Sequence, residues 1–150
     1  MCIKKQEKDA LGYLSWNDVP LLKCTDPRLN VFEPPMLRRR SDKIARLRRQ
    51  MRMQVPGSRR WSRLIIEIGH QMNDLEENRR RCHQKAAKKI CSRYHAVLIE
   101  DPVLRAKCCR QGRIGCFNPS EFIRVLRAEG KRCGTAVILT ELIDVKNRDI

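Results

Sequence analysis

Glu100 is the residue best placed to do chemistry. It closes a short apolar run, Ala96-Val97-Leu98-Ile99, and is followed by Asp101 and Pro102. In open α/β sheets, ligands gather beyond the carboxyl ends of the strands. A carboxylate held there is the hard oxygen donor that Mg²⁺ takes. Two such ions can activate water and stabilise the leaving oxygen of a phosphodiester. That chemistry needs at least two further carboxylates, so on the tripeptide alone a polar strand end is the favoured reading.

The second feature is arginine. Arg38-Arg39-Arg40, then Arg46, Arg48, Arg49 and Arg52, then Arg59, Arg60 and Arg63, then Arg79-Arg80-Arg81 run through the middle of the chain. Guanidinium forks match phosphate in bidentate fashion. Around the last group, Glu67, Asp74, Glu76 and Glu77 intersperse acids, as on any solvated helix face. Between Arg38 and Arg63 the acid is Asp42, so phosphate contact is expected there.

Other side chains point less sharply. Trp16, Trp61 and Tyr94 could stack on bases, although Trp61 falls on an apolar helical stripe, where core packing is favoured. His70, His83 and His95 are scattered and build no Ser/His/Asp arrangement. His83, set among basic residues, reads as a surface residue or a phosphate neighbour. No Gly-x-x-x-x-Gly-Lys loop is present, so nucleotide hydrolysis is not indicated. The 8 cysteines include no Cys-x-x-Cys pair. Zinc sites are built from such short spacings, so scattered reduced thiols are expected and no zinc.

The elements that must position these groups follow from periodicity and punctuation. Leu11 to Cys24 reads as a β-hairpin turning at Asn17-Asp18. Pro34-Pro35 stops regular structure. A helix is expected from about Ser41, as its cap, to Met53, with Ile44, Leu47 and Met51 at helical spacing. Pro56-Gly57 breaks it. A longer helix runs from about Ser58 to Tyr94, with Trp61, Leu64, Ile65, Ile68, Met72, Leu75, Cys82, Ala86 and Ile90 along one face. At 1.5 Å per residue it reaches roughly 50 Å. The two helices read as a basic antiparallel hairpin. Ala96 to Ile99 is a buried central strand. Arg105 to Phe117 is a basic loop. Asn118-Pro119-Ser120-Glu121 starts a helix that ends near Gly130, and a last strand begins at Thr135. The class is α/β, in segments 1–35, 36–95 and 96–150.

The bulk numbers agree on a partner. With 150 residues the chain makes one domain, and its hydrophobic share of 41% permits a packed core. The formal net charge is +16, and charged residues make up 33%. A domain so basic repels itself unless a polyanion neutralises it. DNA or RNA is favoured over a membrane surface because the charge runs through the body of the chain. No run approaches the roughly 20 apolar residues of a membrane span, and no signal peptide opens the chain. A cytoplasmic, nucleic-acid-associated protein is expected.

The order of features resembles the TnpB-type nucleases of bacterial insertion sequences. Three stretches carry the resemblance: Lys43-Ile-Ala-Arg-Leu-Arg-Arg-Gln with the Gly57-Ser58-Arg59-Arg60 break, Asn78-Arg-Arg-Arg-Cys-His-Gln-Lys85 running on to Ile90 and Tyr94, and Ala96-Val-Leu-Ile-Glu-Asp101. The resemblance implies a RuvC-like, RNase H-type sheet with the basic hairpin inserted to contact guide RNA and DNA. It implies that Glu100 is one of three carboxylates that hold Mg²⁺. The family's first strand carries a catalytic Asp in a Gly-Ile-Asp-x-Gly pattern. Counting back from Ser15 places that Asp near Lys5, so the strand and its carboxylate are expected to be missing, with Asp9 a poor substitute. The paired Cys-x-x-Cys ribbon and the carboxylate beyond it are also not found, though Asp144-Val-Lys-Asn147-Arg-Asp-Ile is faintly similar to that tail. The expectation is a truncated, transposase-related protein that binds nucleic acid and cannot cleave it, Mg²⁺ entering only if it is active. The alternatives are an RNA-binding helical module without enzymatic function and a helical protein-interaction module. A sheet lacking its first strand would expose a central edge, so a partner chain or a second copy would complete it.

Overall fold

The computed structural model describes residues 7–17, 21–101 and 118–140. Strand β1 spans Asp9–Trp16 and β2 spans Leu22–Cys24. They pair antiparallel, Leu14 opposite Cys24 and Trp16 opposite Leu22, as the hairpin pattern predicts. A single 3₁₀ turn, Pro27–Leu29, leads towards the first long helix.

Helix α1 runs from Pro35 to Arg52, six residues earlier than its apolar pattern suggests. Pro35 opens the helix and Ser41 lies inside it, not at its cap. The physical reason is that proline has no N–H to lose in a first turn and its φ is already helical. The Pro34-Pro35 pair therefore starts regular structure rather than stopping it. Helix α2 spans Arg59–Arg93, with the Ser58 side chain accepting from the Trp61 N–H. Leu37, Ile44 and Ile68 are buried, and Arg40 of α1 pairs with Asp74 of α2 at 3.0 Å.

Strand β3, Tyr94–Glu100, follows α2 directly. Helix α3, Pro119–Cys133, is capped by Asn118, whose side chain accepts from the Glu121 N–H. It ends in Gly134, at a φ of 76° that glycine adopts without penalty. Strand β4 is Ala136–Thr140.

The sheet order is β2-β1-β3-β4. β3 pairs in parallel with β1, Leu14 opposite Ile99, and with β4, Glu100 opposite Thr140. This corrects the expected gap: β3 has a parallel neighbour on each side, so no central edge is exposed. The neighbour on one side is β1, whose residues read only as a hairpin but pair with β2 along one edge and with β3 along the other. Leu14, Trp16, Ala87, Ile90, Val97, Ile99, Phe122 and Leu126 form one core from the sheet, α2 and α3. The segments 1–35, 36–95 and 96–150 share that core. The expected loop over Arg105–Phe117, the tail from Asp144, and Cys2, Cys108, Cys109 and Cys116 lie outside the described residues.

Two glycines give opposite predictions. A Cβ on Gly130 would sit 2.5 Å from the Thr135 carbonyl oxygen, where α3 turns back to β4. A Cβ on Gly69, within α2, would meet nothing within 4 Å. Gly69→Ala should stabilise by about 0.5–1 kcal/mol through helix propensity. Gly130→Ala should destabilise by about 1–3 kcal/mol, because backbone must move. Urea midpoints at constant m-value check both.

Candidate nucleic-acid interface

Helical geometry places the arginines of α1 unevenly. Leu37, Ile44 and Met51 recur at seven-residue spacing and mark the face turned inward, with Leu37 and Ile44 buried. The opposite face carries Arg38, Arg39, Arg46 and Arg49, all exposed, with Asp42 and Ala45 between them, whereas Arg52 is exposed but lines a cavity against Ile65 and Ile68 of α2. Arg59, Arg60 and Arg63 are exposed at the start of α2, whose first turn holds no acid. Cations there oppose the positive end of the helix dipole, which favours anions. A phosphate backbone would offset both costs.

The remaining arginines are partly spent on the fold. Arg40 hydrogen-bonds Gln71 and pairs with Asp74. Arg48 donates to the Met72 sulfur at 3.4 Å. Arg81 pairs with Glu77 one turn earlier. Arg79 is half-buried and pairs across helices with Glu121 at 3.3 Å, while Arg80 is exposed. So the predicted set divides: Arg38, Arg39, Arg46, Arg49, Arg52, Arg59, Arg60, Arg63 and Arg80 face solvent without a described acidic partner.

His83 is fully buried rather than a surface residue. Its ring lies edge-on to Phe122, centroids 5.8 Å apart, with Nδ1 3.9 Å from Glu121. The basic neighbours in sequence mislead because α3 covers this one side of α2. Burial pushes the imidazole down to about 4, Glu121 opposing and Arg79 adding to the shift. The unfolded value is about 6.5, so below it the unfolded chain binds the extra proton. The stability His83 contributes is complete above pH 6.5 and declines as pH falls towards 4. Between pH 7 and pH 5 the loss should reach about 2 kcal/mol. His83→Leu should abolish that part of the pH dependence, read as the difference between the two urea-midpoint profiles.

Trp16 and Tyr94 are 5% and 2% exposed and cannot stack on a ligand base. Trp16 packs edge-on against Phe122, and the Tyr94 hydroxyl accepts from the Asp26 N–H. Trp61 is half-buried near the start of α2. Cys24 and Cys91 are buried free thiols pushed up to about 12 and about 11 by burial, hence unreactive.

Glu100 stands at the carboxyl end of β3, as expected, and is fully buried. One step beyond the Leu14–Ile99 pair, Ser15 comes opposite it on β1, and Thr140 is its partner on β4. Its Oε1 accepts from the Ser15 hydroxyl at 3.0 Å and its Oε2 from the Trp16 N–H at 3.3 Å. The Trp16 indole N–H donates to the Glu100 carbonyl at 2.9 Å. Among the described residues no three His, Cys, Asp or Glu side chains gather to hold a metal ion. Among the described residues Glu100 brings one carboxylate beside the Ser15 hydroxyl, fewer oxygen donors than Mg²⁺ takes. The donor that faces Glu100 from β1 is a hydroxyl, and sequence reasoning misses Ser15 because only strand register reveals it. Asp144 lies outside the described residues.

No helix among the described residues is long and apolar enough to cross a membrane. No family model matches the chain, and no curated protein matches it.

Proposed function

We propose that the chain is a transposase-related nucleic-acid-binding protein that holds a phosphate backbone along the exposed arginine faces of α1 and the start of α2. The observation that carries it is the α1 face of Arg38, Arg39, Arg46 and Arg49, diluted by the single acid Asp42. Counterion release makes such a face a general polyanion grip. The relation to TnpB-type nucleases draws support from the order of parts: a basic hairpin, then a central strand ending in Glu100-Asp101. Cleavage is not part of the proposal, because the Glu100 carboxylate is engaged by Ser15 and Trp16.

The test is fluorescence anisotropy of labelled DNA and RNA across a salt series. With about 6–10 phosphates contacted, affinity should fall roughly 10³–10⁵-fold between 50 and 200 mM salt. A chain that ignores both polymers at low ionic strength would overturn the proposal. A rival reading, a helical protein-interaction module, is favoured by Met53, Val55 and Ile66, which are 85%, 73% and 60% exposed. Self-association or partner binding that persists at high salt, without nucleic-acid binding, would decide for it.

A further inference from the structure

A second basic surface lies on the last third of α2. The segment from Arg28 to Pro34 and the last third of α2 enclose an open cavity of ≈ 370 Å³. Its wall on α2 is Cys82, Ala86, Lys85 and Lys89; its wall on the segment includes Phe32. Phe32 is 59% exposed, although aromatic side chains ordinarily seek the core. Burial holds the Cys82 thiol up, so the floor beside it is neutral. Lys85 and Lys89 are exposed, one helical turn apart on the rim, with no acidic partner within 4.0 Å among the described residues. Arg28 shares its charge with Asp26 at 3.1 Å, which leaves the two lysines as the available cations.

An exposed aromatic face beside an apolar floor with cations at its rim matches a nucleotide whose base has left its stack. Base–aromatic stacking tolerates any base because every base has a π-face. A duplex keeps its bases paired inside and cannot fill such a cavity. We propose that this cavity binds an unstacked base of single-stranded nucleic acid, with Phe32 as the stacking platform and Lys85 and Lys89 on the flanking phosphates. The inference rests on the nucleic-acid reading above and adds a strand preference that the arginine face alone does not give.

The probe is a short fluorescently labelled single strand, compared by anisotropy with the same sequence as a duplex. The full chain should bind the single strand more tightly than the duplex. Phe32→Ala should weaken single-strand binding about tenfold, leaving duplex binding and the salt slope unchanged. Phe32→Trp should retain the single-strand preference, and Phe32→Leu, apolar without a π-face, should not. Lys85→Ala with Lys89→Ala should flatten the single-strand salt slope by roughly 0.7 for each phosphate no longer held. Far-ultraviolet circular dichroism confirms that each variant is folded. If the chain binds oligonucleotides but Phe32→Ala or Phe32→Leu behaves as wild type, the cavity proposal falls and the arginine grip stands. If the chain binds no oligonucleotide at all, both fall together.

Discussion

Replacing Glu100 with alanine should lower the unfolding free energy by about 2–4 kcal/mol, whatever it does to activity. The carboxylate is fully buried and accepts from the Ser15 hydroxyl and the Trp16 N–H. A buried donor that loses its acceptor costs about 1–3 kcal/mol. Two such donors and the space left by the side chain together give the expected loss. Glu100→Gln separates a structural role from a catalytic one. Its amide can accept from the Trp16 N–H and donate to Ser15, so stability should stay within about 1 kcal/mol of wild type. Chemical denaturation checks both variants. If Glu100→Ala is as stable as wild type, the carboxylate does not lock β1 to β3. If the protein cuts DNA with Mg²⁺ and Glu100→Gln abolishes cutting while the fold is intact, the residue is catalytic and the non-cleaving proposal is wrong.

Replacing Arg38, Arg46 and Arg49 together with alanine should weaken nucleic-acid binding roughly 10²–10³-fold at 0.1 M salt. Each phosphate neutralised contributes about 0.9 to the slope of log affinity against log salt on duplex DNA. Releasing three phosphates therefore flattens the slope by roughly 2.7. Stability should move by no more than about 0.5 kcal/mol, since these side chains are exposed. Arg79→Ala is the contrasting variant. It removes the partner of Glu121 on α3, so it should destabilise the chain and change the salt slope little. Equal loss of binding from both variants would mean that the arginines act through bulk charge rather than through a face of α1.

Much of the framework is legible in the sequence because its signals are local. Ser58 and Asn118 each accept a hydrogen bond from the helix they begin, and capping depends only on a few consecutive residues. The apolar run before Glu100 announces a central strand for a similar reason: no polar side chain interrupts it. The start of α1 is ambiguous at the same local level, since Pro34-Pro35 serves equally to end a segment or to begin a helix.

The face on which a residue ends up is less legible. His83 looks like a surface residue from its neighbours Arg79, Arg80, Arg81 and Lys85, yet α3 covers it with Phe122 and Glu121. Phe32 is exposed although aromatic side chains ordinarily seek the core. The opposition of Ser15 and Glu100, 85 residues apart, depends on the register between two strands joined by the whole helical hairpin.

By itself, the sequence determined the charge, the helix starts at Ser58 and Asn118, the break at Pro56-Gly57 and the central strand. These depend on backbone propensity, capping and periodicity, which act over a few neighbouring residues. Only the tertiary structure decided that β1 pairs in parallel with β3, that Arg40 and Arg79 are bound into ion pairs, and that Phe32, Lys85 and Lys89 meet around one cavity. Those outcomes depend on which surfaces pack against each other across long separations, and side-chain type alone does not encode that.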